Sequence, residues 1–107
     1  MWIDHPEIPQ AMLYWEKGVL KEMIVSEVNK ENEETETILF KMSPMEGYED
    51  RSFGKPAIVG SMPGGFRITE GGSISKWTTG VTYRVKVIGE IGEKKFWSTV
   101  DFIGQGE

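Results

Sequence analysis

The chain has 107 residues, enough for one hydrophobic core and too few for two. Hydrophobic residues make up 38% of it and aromatics 11%, so the apolar surface suffices to offset chain entropy and a folded protein is expected. The absence of cysteine excludes disulfides and thiolate metal sites, and a formal net charge of -5 argues against general affinity for polyanions.

The charge is uneven along the chain. Residues 1 to 50 hold 12 acidic and 4 basic side chains, whereas residues 51 to 107 hold 5 acidic and 8 basic. The two halves are expected to neutralise each other in the fold; the second reading is a polar molecule whose opposite faces attract neighbouring copies. The N-terminus shows neither the basic nor the apolar region of a signal peptide. No apolar run approaches the roughly 20 residues of a spanning helix, so no membrane segment is expected.

Taken in chain order, residues 1 to 10 form an extended leader, because Pro6 and Pro9 fix their own φ and push the preceding residues out of the helical region. Residues 10 to 24 fit either an amphipathic helix or two strands broken at Gly18, and a glycine in mid-helix favours the strands. The runs Met23 to Val28 and Thr35 to Met42 flank the polar tip from Asn29 to Glu34 and predict a hairpin. Short strands are expected at Ala57 to Val59, Phe66 to Thr69 and Ser73 to Trp77, set off by Gly60, Pro63-Gly64-Gly65 and Gly71-Gly72. From 81 to 91 the chain alternates, with Val81, Tyr83, Val85 and Val87 on one side and Thr82, Arg84 and Lys86 on the other. Phe96, Val100 and Phe102 repeat the pattern, so 81–91 and 94–103 form a C-terminal hairpin turning at Gly92-Glu93, with Gly89 marking a bulge or the end of good pairing. No repeat or linker divides the sequence, and a single domain over 1–107 is expected.

The segment Trp77-Thr78-Thr79-Gly80-Val81-Thr82-Tyr83, followed by Arg84-Val85-Lys86-Val87, resembles the tyrosine corner of immunoglobulin-like sandwiches, particularly fibronectin type III domains. The resemblance covers about a quarter of the chain. It implies that Trp77 anchors the corner, Gly80 makes the turn, and the Tyr83 hydroxyl bonds back to the corner's backbone. It further implies that 94–103 is the last strand of the same sheet and Trp15 a buried tryptophan of an early strand. The family's usual Leu and Pro are replaced by Trp77 and Thr79, and the segment from Arg51 to Gly65 is longer and richer in glycine than the family pattern. The expected fold is therefore mainly β, a small antiparallel immunoglobulin-like β-sandwich. The alternative is a five-stranded oligonucleotide-binding barrel, which is about this length.

Catalytic chemistry has few carriers. His5, the one histidine, stands in the proline-flanked leader beside Asp4, where a solvated or capping role is expected. Glu31, Glu33, Glu34 and Glu36 lack the spacing and central glycine of a calcium loop, and the glycine-rich stretches at 60–65 and 71–73 lack a Gly-Lys-Ser/Thr phosphate cradle. Met42, Met45 and Met62 fit core filling or an adaptable surface. No enzyme activity, metal or cofactor is expected.

Two functions compete. The first is a non-enzymatic module that binds another protein or copies of itself, as an adaptor, an inhibitor or an assembly component; a small cysteine-free β domain of this type suits a virus or phage structural or accessory protein, in the cytoplasm or the virion. The second is a single-strand nucleic-acid barrel in which Trp77, Arg84, Lys86, Lys95 and Trp97 stack bases and neutralise phosphates. Carbohydrate binding by exposed Trp2 or Trp97 ranks third.

Overall fold

A strand whose side chains alternate apolar and polar has one face to bury, and it does so against a second layer. The computed structural model describes residues 2–4, 12–15, 18–29, 35–48, 52, 57–74 and 77–104. They form eight strands and no helix: β1 (Trp2–Asp4), β2 (Met12–Tyr14), β3 (Val19–Asn29), β4 (Thr35–Pro44), β5 (Ala57–Ile58), β6 (Phe66–Gly71), β7 (Thr82–Ile91) and β8 (Lys94–Ile103). Two antiparallel sheets result, of order β1-β2-β5 and β6-β4-β3-β7-β8. Leu13 and Ala57 of the small sheet and Trp15 just after β2 join Met23, Val25, Phe40, Met42, Phe66, Val85, Val87 and Phe102 of the large one in a single core. The protein is thus a two-layer β-sandwich. No ladder joins β6 to β8, so the five-stranded sheet stays open, unlike the barrel held as the alternative.

The C-terminal hairpin runs in unbroken register from Thr82 opposite Ile103 to Ile91 opposite Lys94, and turns at Gly92 with φ +62°. Gly89 lies within that ladder, opposite Phe96, and does not end it. The irregularity lies across from it on β3, between Leu20 and Glu22. Gly89 is required because a Cβ there would stand 2.3 Å from the Val19 carbonyl oxygen.

The predicted hairpin at 23–42 is present, with β3 and β4 paired from Met23 opposite Met42 to Asn29 opposite Thr35 and both strands running on beyond its open end. Residues 10–24 do break at Gly18, which has φ +89° and whose carbonyl accepts a 3.1 Å hydrogen bond from the Trp15 indole Nε1. A Cβ at Gly18 would meet the Glu90 carbonyl oxygen at 2.9 Å, so the glycine lets the chain turn close against the end of β7.

The strand expected at Ser73 to Trp77 is a correction. Ser73, Ile74 and Trp77 have no regular structure. Instead Ile74 donates its N–H to the Gly60 carbonyl at 2.9 Å and packs against the core, while Trp77 plunges into the core. Of the leader, residues 2–4 form an edge strand, and 5–10 lie outside the described residues.

Candidate interaction face

One face of the five-stranded sheet looks into the sandwich and the other looks away from it. The register fixes which side chains share the outward face. Glu22 stands beside Ile88, which stands opposite Trp97; Ile24 beside Lys86, opposite Thr99; Ser26 beside Arg84, opposite Asp101; Val28 beside Thr82, opposite Ile103. On β4 the extra residue Leu39 forms a bulge, which turns Ile38 outward, next to Ser26, although it lies two positions from the buried Phe40.

This face is apolar at several points. Trp97 is 73% exposed and Ile103 58%, and Ile38 is also exposed. Its charges are mixed: Lys21, Lys41, Arg84, Lys86 and Lys95 lie among Glu22, Glu36, Glu90 and Asp101.

Arg84 organises the centre. Its Nε and Nη2 donate to the two carboxylate oxygens of Asp101 at 2.8 and 2.9 Å, and Nη1 reaches Glu36 at 3.3 Å. Since β3 lies between β7 and β4, the contact to Glu36 carries the guanidinium across β3. That accounts for Ser26 and Val28 being only 4% and 5% exposed on a face over which no second sheet lies among the described residues. The hydrogen bond to Asp101, with the charges of Asp101 and Glu36, raises the Arg84 pKa above its ordinary value, so the group is permanently charged. Glu36 comes from the acidic half of the chain and Arg84 from the basic half, so part of the charge asymmetry is cancelled inside the sheet.

Arg84, Lys86, Lys95 and Trp97 therefore share one face, as the nucleic-acid reading requires. Trp77 does not. It is 4% exposed, on the core side, edge-on to Tyr83 (centroids 4.8 Å, 72°) and to Phe102 (5.1 Å, 81°). The correction has a simple cause: a tryptophan between loop and strand buries more area by entering the core than by lying on the sheet.

At the corner, the Thr78 N–H donates to the Tyr83 hydroxyl at 2.8 Å. Gly80 turns with φ +86° and donates its N–H to the Gly104 carbonyl, while Gly104 returns its own N–H to Val81. Gly104 has no room for a side chain, because a Cβ would lie 2.1 Å from the Thr78 carbonyl oxygen. Trp77, Gly80 and Tyr83 thus form one structural unit, which ties the chain before β7 to the end of β8.

The remaining candidates are dispersed. His5, Glu31, Glu33 and Glu34 lie outside the described residues, as does the Trp2 side chain. Met42 is core, whereas Met45 and Met62 are exposed. Among the described residues no group of three His, Cys, Asp or Glu side chains converges to hold a metal. An open depression of about 390 Å³ on the outward face is lined by Lys21, Glu22, Ile88, Glu90 and Lys95 among others, and its mixed charge favours no one ion. Sequence reasoning missed Glu36 and Asp101 as partners of Arg84 and missed the outward apolar residues Ile38 and Ile103; the alternation of 94–103 places Asp101 and Ile103 on the Thr99 side, while Ile38 depends on the bulge.

No family model, curated protein or solved structure matches this chain.

Proposed function

We propose that the protein is a non-enzymatic interaction or assembly module that binds another polypeptide through the outward face and an edge strand of its five-stranded sheet. The observation carrying this reading is the combination of strongly exposed Trp97 and Ile103 with a mixed charge pattern on the face that no second sheet covers among the described residues. Aromatic anchors set among paired charges are the composition of protein interfaces.

Single-stranded nucleic acid is the second reading, favoured by Arg84, Lys86, Lys95 and Trp97 sharing that face. Two facts rank it lower. Binding to a phosphate backbone draws on unpaired positive charge, and here the cations are interspersed with carboxylates, with Arg84 already engaged by two of them. Stacking uses successive aromatics, and Trp77 is removed to the core, leaving Trp97.

Photo-crosslinking distinguishes the two. A benzoylphenylalanine group installed at position 97, in cells that make the protein, is expected to give adducts with polypeptide, and the same group at the exposed Ser73 to give none. Adducts with nucleic acid at position 97, or a pattern equal to that at position 73, would refute the reading.

A further inference from the structure

The two edges of the five-stranded sheet differ. β6 has six residues, its ladder to β4 is broken between Lys41 and Met42, and it ends at Gly71 with φ +75°. Short length, a bulge and a terminal glycine are devices that discourage another strand from adding. β8 has none of them: it runs for ten residues in register with β7 without a bulge, and contains no proline or glycine. β1 comes close to β8 but forms its ladder with β2. Among the described strands none but β7 forms a ladder with β8, so this long, regular strand is placed to receive a partner strand.

Resting on the interaction reading above, we infer that the partner is a second copy of this chain, added antiparallel along β8 about a two-fold axis at Ser98. The sequence of the edge selects this register. A two-fold normal to the sheet requires residues of the same face to oppose each other, so the positions of each opposed pair must sum to an even number. With Ser98 opposite itself, Lys95 stands opposite Asp101 twice, Trp97 opposite Thr99, and Phe96 opposite Val100.

The charges then alternate through the joined sheets: Glu36, Arg84 and Asp101 of one copy, followed by Lys95 and Glu90 of the other. Opposite charges and aromatic to β-branched pairs directly across an antiparallel ladder are favourable. Moving the axis to Trp97 sets Asp101 against Glu93, and moving it to Thr99 sets Lys95 against Ile103 and Asp101 against Trp97. On the inner side Phe96 and Val100 are only partly buried at the rim of the core, and the added strand covers them. The two Trp97 rings become diagonal neighbours with Cα atoms about 7–8 Å apart, within reach of one another.

The test uses the whole chain. Sedimentation at increasing concentration is expected to show a monomer–dimer equilibrium. Lys95→Glu, which sets carboxylate against Asp101, should weaken it at least tenfold with the circular dichroism spectrum retained. A readout independent of charge comes from the absence of native cysteine. Mild oxidation of Ser98→Cys should give a disulfide-linked dimer, whereas Lys95→Cys should not, because residue 95 is six positions, about 20 Å, from its own copy in this register. A monomer at every concentration overturns the inference, and position-97 adducts with other proteins would then leave the interaction reading standing. A dimer that tolerates Lys95→Glu and is not trapped by Ser98→Cys also overturns it.

Discussion

Tyr83→Phe isolates the hydrogen bond that closes the corner. The substitution keeps the ring, and with it the edge-on contact to Trp77 and the stacked contact to Phe102 at 5.5 Å. What is lost is the acceptor for the Thr78 N–H, a bond of 2.8 Å. A buried N–H left without a partner costs up to about 3 kcal/mol, but a typical net hydrogen bond contributes about 1 kcal/mol. Thr78 is exposed, so water can reach the freed N–H, and the smaller figure applies. For a chain of 107 residues, unfolding entropy of about 2.1 cal/mol/K per residue converts 1 kcal/mol into a fall in Tm of about 4–5 °C. Calorimetry measures the fall, and amide exchange at Thr78 should accelerate while that of Val85 and Val87, deep in the ladder, changes only with global stability. An unchanged Tm together with unchanged protection at Thr78 would show that the corner is held by ring packing alone.

Three further outcomes follow from the geometry. A double-mutant cycle between Arg84→Met and Asp101→Asn should return a coupling of about 0.5–1 kcal/mol by chemical denaturation, the upper range for a solvent-accessible ion pair because both carboxylate oxygens are engaged; zero coupling would remove Arg84 as the organiser of the face. Gly18→Ala should destabilise the fold by about 2 kcal/mol or more in the same assay, since the residue has positive φ and its Cβ would press on the Glu90 carbonyl; a neutral substitution would show that the turn at Gly18 relaxes freely. Titration with short single-stranded oligonucleotides at low salt should leave the emission of Trp97 unquenched, and a salt-reversible quench would restore the nucleic-acid reading.

Most of the architecture is legible in the sequence where one physical signal acts alone. From Val81 to Val87 and from Phe96 to Phe102 the period-2 pattern is unbroken, and β7 and β8 follow it. Gly18 is legible as a break because no other residue takes its φ cheaply. The pattern fails where a long-range contact decides. Ser73 to Trp77 reads as a short strand set off by glycines, yet Ile74 is held by Gly60 and Trp77 by Tyr83 and Phe102. Ile38 shares the phase of Phe40 in sequence and lies on the opposite face, because the bulge at Leu39 depends on how β4 meets β3. The candidate face was legible as a set of residue types. Interleaved cations and aromatics have no direction until the strands are paired, so neither the departure of Trp77 nor the neutralisation of Arg84 could be seen.

The central ladder has a cost in time. β3 sits in the middle of the large sheet and pairs with β7, bringing Val25 against Val85, residues 60 positions apart. Connections of that separation close slowly, in the millisecond-to-second range for all-β domains. On the ribosome, β3 and β4 emerge with Leu13 and Trp15 already made, but before Val85, Val87 and Phe102, which complete the core around Met23, Val25, Phe40 and Met42. The N-terminal half of this protein must therefore wait, sticky and only partly shielded, until its C-terminal third has been synthesised.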